Sequence, residues 1–386
     1  MIKTILLLTP VYVTLFWSIL LNFHPGSSHA AKRFLGKFML ACVVIYMTHF
    51  LYYSNLLRFV HLFEPLYQLA SLSVYPLFYI YFRLLFVEKY FSIRKHGVYL
   101  LAPILISLIY FIASASLPSD VFIQWLYRKG TLPDYAALKL LNLLLVLISV
   151  VYVGQVLFTV TANLRLIYSY RKKAKNYYSD FYEIRTLNVV ILNVVLVVCG
   201  LSSIILSILG RGYFISEMMG ITLASVIFST MLFTIGWLGF LQKAVNPTFE
   251  EVPSQPEEQP EEFQLDHRQQ LMEKISKLFI NDRIHLNTKL TIQDVAQTVG
   301  TNRTYVSSII NQHYGVNFCT FVNNFRIEEL EHMLKNHPEL TNQLLAENCG
   351  FGSVDSLKRA VNAKTGLSVT QWKASFAKNR KNVQGI

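Results

Sequence analysis

Apolar residues follow two different rules along this chain. Before about residue 242 they form seven almost unbroken runs. Beyond about residue 266 they recur every three or four positions, with polar residues between them. The runs are Ile5–Leu21, Phe34–Tyr53, Pro65–Phe86, Val98–Ser114, Leu138–Thr161, Leu187–Leu209 and Met218–Leu241. Each approaches or exceeds the ~20 residues that an α-helix needs to cross a bilayer. The three-and-four spacing instead predicts amphipathic helices around a water-soluble core. The expected fold is all-α: a seven-transmembrane helix bundle (1–243), an acidic Pro/Glu-rich linker (244–265) and a soluble seven-helix domain (266–386).

The densest pattern lies between Leu290 and Lys373. Ile292, Val295, Ala296 and Val299 mark one face of a short helix. Thr291 and Asp294 fit a capping box at its start, and Gly300 stops it. Asn302 is a suitable cap for a second helix, which buries Val306, Ile309 and Ile310 and ends at Gly315. Its remaining face carries Arg303, Thr304, Ser307, Ser308, Asn311 and Gln312, side chains suited to base edges and phosphates. The arrangement then recurs. Leu344, Leu345 and Ala346 precede a turn, Cys349-Gly-Phe-Gly-Ser353, and Ser353 caps a helix buried by Leu357 and Val361. Asp355, Ser356, Lys358, Arg359 and Asn362 are expected to face outward. Phe318, Phe321, Val322, Phe325, Leu330, Met333 and Leu334 form a long helix between the two units, which ends before Pro338. Ser368 and Gln371 open a last helix carrying Trp372 and Phe376.

Two helix-turn-helix units joined by one helix resemble the AraC/XylS family of bacterial transcription regulators. The resemblance covers about the last hundred residues. It rests on Leu290-Thr291, Gly300, Tyr305-Val-Ser307, Gly315-Val-Asn-Phe318, Phe325-Arg-Ile327, Ala346, Gly350-Phe351, Ser353, Arg359 and Lys364-Thr-Gly366. The chain departs from the family pattern at Ser308, Leu330, Leu357, Val361 and Val369. The resemblance implies that the second helix of each unit lies in a major groove, on one face of the duplex. DNA contacts are then expected from Arg303, Thr304, Ser307, Ser308, Asn311 and Gln312 in the first unit. Ser353, Ser356, Lys358, Arg359 and Asn362 are the expected set in the second.

Composition fits this division. The chain of 386 residues is 53% hydrophobic and only 15% charged, with a mean hydropathy of +0.38. So few charges are unusual for a soluble protein. From Asp266 onward there are 15 Lys and Arg against 10 Asp and Glu, an excess that suits phosphate contacts. Loop charges orient the spans. Lys32, Arg33 and Lys37, then Arg83, Lys89, Arg94 and Lys95, then Arg165, Arg171, Lys172, Lys173, Lys175 and Arg185 fall on one side. Only Lys3, Arg58, Arg128, Lys129 and Arg211 fall on the other. The positive-inside rule places the N-terminus outside and the C-terminal domain in the cytoplasm, as expected for the inner membrane. The first run reads as an uncleaved anchor. It is longer than a signal-peptide core, although Ser28-His29-Ala30 resembles a cleavage site.

Several functions are disfavoured. The spans show almost no interior ionisable group beyond His49, with Arg83 and Glu217 at their edges, which argues against a pump or ion-coupled carrier. Gln68, Asn142, Gln155, Asn188 and Asn193 read as hydrogen-bonding between helices. No nucleotide loop, nucleophile motif or zinc signature stands out, so no enzyme activity, cofactor or metal is expected. Cys42, Cys199, Cys319 and Cys349 have no paired spacing. The linker, with Pro247, Pro253, Pro256 and Pro260 among glutamates, is expected to stay extended. The expected partners are double-stranded promoter DNA, the lipid bilayer, a second copy of the chain, RNA polymerase and a signal ligand. Two alternatives stay open: a receptor whose C-terminal module binds protein, and a carrier or enzyme with an appended regulator.

Overall fold

A computed structural model describes residues 2–24, 30–88, 90–127, 130, 132–180, 186–209, 218–242 and 261–384. Outside these lie most of the linker, the Ser28-His29 pair, Lys89, Arg128, Lys129, Arg185, Arg211 and Glu217. The described residues are mainly helical, with no strand beyond one isolated bridge. The chain divides into two compact units, Met1–Tyr168 with Arg185–Thr248, and Ser169–Ile184 with Phe249–Ile386.

The first unit is built from α1 (Ile2–Phe23), α2 (Ala30–Tyr53), α3 (Leu57–Phe86), α4 (Ile93–His96), α5 (Val98–Ala115) and α6 (Ser119–Leu126). It continues with most of α7 (Ala136–Tyr177), then α8 (Thr186–Leu209) and α9 (Met218–Leu241). Seven of these helices are long and apolar enough to cross a membrane. Close packing uses small residues, as expected where helices meet without a water-driven force. Trp17 of α1 is 2% exposed and lies over Gly236 of α9. There its ring meets Phe233 at 5.4 Å and Phe240 at 6.1 Å. The Ser18 hydroxyl donates to the Gly36 carbonyl of α2 at 3.0 Å. Polar residues pair across helices: Asn163 donates to Asn193 at 3.1 Å, and Trp125 donates to Asn142 at 3.0 Å.

One expectation about this unit needs correction. Glu64 is 1% exposed inside α3, with Gln68 donating to its carboxylate at 3.1 Å. The unit's interior therefore holds a carboxyl group that the run from Pro65 left out, because α3 starts at Leu57. The basic cluster Arg171–Lys175 is likewise helical, in the last turns of α7, where a loop was expected.

Among the described residues the second unit holds the end of α7 and seven further α-helices: α10 (Glu261–Ile280), α11 (Ile292–Val299), α12 (Arg303–His313), α13 (Phe318–Asn336), α14 (Asn342–Asn348), α15 (Val354–Thr365) and α16 (Val369–Gln384). Helix α10 begins at Glu261, five residues before the expected start of the domain at Asp266. A short 3-10 turn, Ile284–Leu286, precedes α11. The helix starts follow the capping chemistry. Thr291 and Asp294 form a full capping box, and Asn302, Asn317, Thr341 and Ser353 each cap with a side-chain oxygen.

Two hydrophobic cores share α13. Its N-terminal half gives Phe318, Phe321 and Val322 to the core of α10, α11 and α12. Its C-terminal half gives Ile327, Leu330 and Leu334 to the core of α14, α15 and α16. Leu344, expected in the second core, is 44% exposed, while Leu345 and Ala346 fill it.

Candidate nucleic-acid interface

Each helix-turn-helix unit pairs a short helix with a longer one across a tight turn. In the first, Gly300-Thr-Asn302 joins α11 to α12, and Gly300 has a left-handed φ of 76°. In the second, Cys349–Ser353 joins α14 to α15 around Gly350, φ 77°. Only glycine takes this backbone region without cost.

The outward face of α12 matches the expected contact residues in part. Thr304, Asn311 and Gln312 are exposed, whereas Arg303, Ser307 and Ser308 are half-buried. The Asn311 amide donates to the Ser307 hydroxyl at 3.1 Å, so the two side chains act as one polar ridge. Gln312 accepts from Arg268 of α10, which draws its amide toward that helix.

On α15, Lys358, Arg359 and Asn362 are exposed together. Arg359 donates from Nε to the Asp355 carbonyl at 3.1 Å, and Lys358 lies 3.6 Å from the Asp355 carboxylate. Ser353 spends its hydroxyl as the cap, accepting from the Ser356 N–H at 3.1 Å. Ser356 does not face outward as expected. It is 4% exposed, and its hydroxyl donates to Asp180 at 2.9 Å.

That contact introduces two residues that sequence reasoning missed. Ser179 and Asp180 follow α7 and are buried in the second unit. Tyr178 forms an antiparallel bridge with Thr291, and the Ser179 N–H donates to the Leu290 carbonyl at 3.0 Å. Arg326 of α13, fully buried, donates to the Ser179 hydroxyl at 3.1 Å and to its carbonyl at 3.4 Å. The same guanidinium donates to the His285 carbonyl at 2.8 Å and the Asn287 carbonyl at 2.9 Å. Burial brings its pKa down to about 10, with Asp180 pulling the other way, so it stays charged. No local signal marks these residues, because their partners lie more than 110 positions away.

The family model for a helix-turn-helix domain matches residues 295–375. The C-terminal unit carries an AraC-type helix-turn-helix domain. No curated protein and no solved structure matches the chain. The match runs from α11 to the start of α16 and so covers both helix-turn-helix units. An AraC-type domain is a DNA-binding module and points to a transcription regulator, here with an N-terminal apolar helical region. Among the described residues no His, Cys, Asp and Glu cluster could hold a metal ion.

Proposed function

We propose that this chain is a membrane-anchored transcription regulator that carries a signal from its seven-span unit to promoter DNA. The observation behind this reading is the doubled helix-turn-helix on one shared helix. Its two second helices present Arg303, Thr304 and Asn311, and Lys358, Arg359 and Asn362. Thr304, Asn311 and Asn362 suit base edges, while Arg303, Lys358 and Arg359 suit either guanine or phosphate. Ser307, Ser308, Gln312 and Ser353 line the same faces as supporting polar contacts.

The odd number of candidate spans among the described residues and the bias of the loop charges support a reading in which the C-terminal domain lies in the cytoplasm, where the DNA is. A signal at the spans acts through two states of the protein with different affinity for DNA. A second copy of the chain and RNA polymerase are the protein partners that such a role calls for.

The test uses the full chain in lipid nanodiscs with a fluorescent mixed-sequence duplex. Binding should weaken steeply as salt rises, because each phosphate contact releases counterions. Arg359→Ala should cost about 1–3 kcal/mol of binding. Salt-independent binding, or a reporter fused after Ile386 that reads out on the outer side, would refute the proposal.

A further inference from the structure

The segment that leaves α7 is tied into both helix-turn-helix units at once. Tyr178 and Ser179 pair with Leu290 and Thr291 at the entrance to the first unit. Asp180 reaches the second unit, where its carboxylate accepts from the Gly352 N–H at 3.1 Å and the Ser356 hydroxyl at 2.9 Å. Between them, Arg326 of the shared helix holds Ser179 by its hydroxyl and carbonyl. Upstream, Tyr170 and Ala174 of the α7 end are buried, and Tyr177 packs on the core of the first unit. This is a fitted attachment with donors matched to acceptors over three successive residues.

We propose that Tyr178–Asp180 is an autoinhibitory strap: docked, it holds the DNA-binding domain in a low-affinity state, and its release is how α7 turns the domain on. The inference rests on the DNA-binding reading above.

Two observations give the direction. The first is charge. Lys358, Arg359 and Lys364 against Asp355 leave α15 with a net charge of two, and Asp180 at its start reduces this to one. A carboxylate at this end repels the phosphates that the helix must approach. The second is tethering. The strap ties the entrance of one unit to the reading helix of the other and buries Ser356, a side chain of that helix. Both reading helices must settle into successive grooves ~34 Å apart, so a clamp between the units restricts the adjustment.

Release is also chemically feasible. Without the strap, Arg326 keeps the His285 and Asn287 carbonyls as acceptors and gains water for the rest. Asp180 returns to solvent, where water replaces its two donors. The strap is held by individual hydrogen bonds of about 1 kcal/mol each, which suits a contact that must open.

The test compares full chains in nanodiscs, with a mixed-sequence duplex of about 40 base pairs, long enough to offer two grooves on one face. Asp180→Asn keeps the shape but weakens the contact and removes the charge, and should bind about tenfold tighter than the parent, the loss of one charge-assisted contact. A second variant pairs Asp180→Cys with Ser356→Cys, in a Cys319→Ala background that removes the neighbouring thiol. Oxidised, it should bind at least about tenfold more weakly than after reduction. Asp180→Asn binding as the parent does or more weakly, or a locked form that binds as well as the reduced one, would overturn the strap while leaving DNA binding intact. Failure of every form to bind the duplex at low salt would instead overturn the DNA-binding reading, and the strap with it.

Discussion

Gly350 and His285 meet backbone to backbone. A methyl group on Gly350 would stand 2.7 Å from the His285 carbonyl oxygen and 2.6 Å from the Leu286 Cα. The turn of the second unit is thereby seated on the 3-10 turn that precedes the first. Gly350→Ala meets two penalties, a left-handed φ and a clash with backbone that cannot swing aside. We expect a loss of about 3 kcal/mol or more. Gly300→Ala, at a similar φ but facing open space, should cost about 1 kcal/mol. Thermal melting of the two purified variants checks the ranking, and equal losses would contradict it.

Arg326 carries four hydrogen bonds to acceptors drawn from two segments outside its own helix. Arg326→Ala leaves those acceptors buried with nothing to donate, at a cost of about 3–5 kcal/mol. Arg326→Lys keeps the charge but not the fork, and should recover only part of the loss. Hydrogen exchange across α13 in the full chain reports both. Protection unchanged in the alanine variant would show that the guanidinium is dispensable.

His285 packs against the rings of Phe279 and Phe325 and is 4% exposed. Burial lowers its pKa from the ordinary 6.5, with Arg283 and Arg326 adding to the effect and Glu329 opposing it. The folded unit therefore binds fewer protons than the unfolded chain just below pH 6.5. The resulting stability is complete above that value and drains away as pH falls through it toward the folded pKa. The melting midpoint of the second unit should drop on moving from about pH 7.5 to about 5.5. His285→Gln should flatten the slope, and an unaltered slope would assign the effect to other groups.

Asp355 opposes the cations of its own helix. Its pairing with Lys358 at 3.6 Å is exposed, with side chains 76% and 56% accessible, and contributes little to stability. Asp355→Asn should leave the melting midpoint unchanged and tighten duplex binding by about two- to fivefold at low salt, with the gain shrinking as salt rises. Weaker binding would show that Asp355 positions Arg359 or accepts directly from a base.

Much of the second unit was legible because its signals are local. Capping oxygens sit within three residues of the N–H groups they serve, and Val306, Ile309, Ile310, Leu357 and Val361 repeat on a helical period that the cores then bury. The seven apolar runs were legible by length alone. What escaped was set by distant partners. Ser356 has the phase of a flank position, and only Asp180, 176 residues away in sequence, decides that it faces inward. Glu64 lies one residue before the apolar run that starts at Pro65, yet α3 extends two turns further and Gln68 donates to the carboxyl group. Leu344 has a neighbour at Leu345 of equal hydropathy, and only packing selects between them.

The sharing of α13 by two cores makes one helix a ruler. It is 19 residues long, and one residue more would advance whatever follows by ~1.5 Å and turn it by ~100°. Such an insertion near Arg326 would turn the two reading helices toward different sides of a duplex, at the expense of the contacts that Arg326 and Gly350 make with the turn before the first unit. Spacing and phase between the two half-sites are thus written into the length of a segment that need not touch DNA.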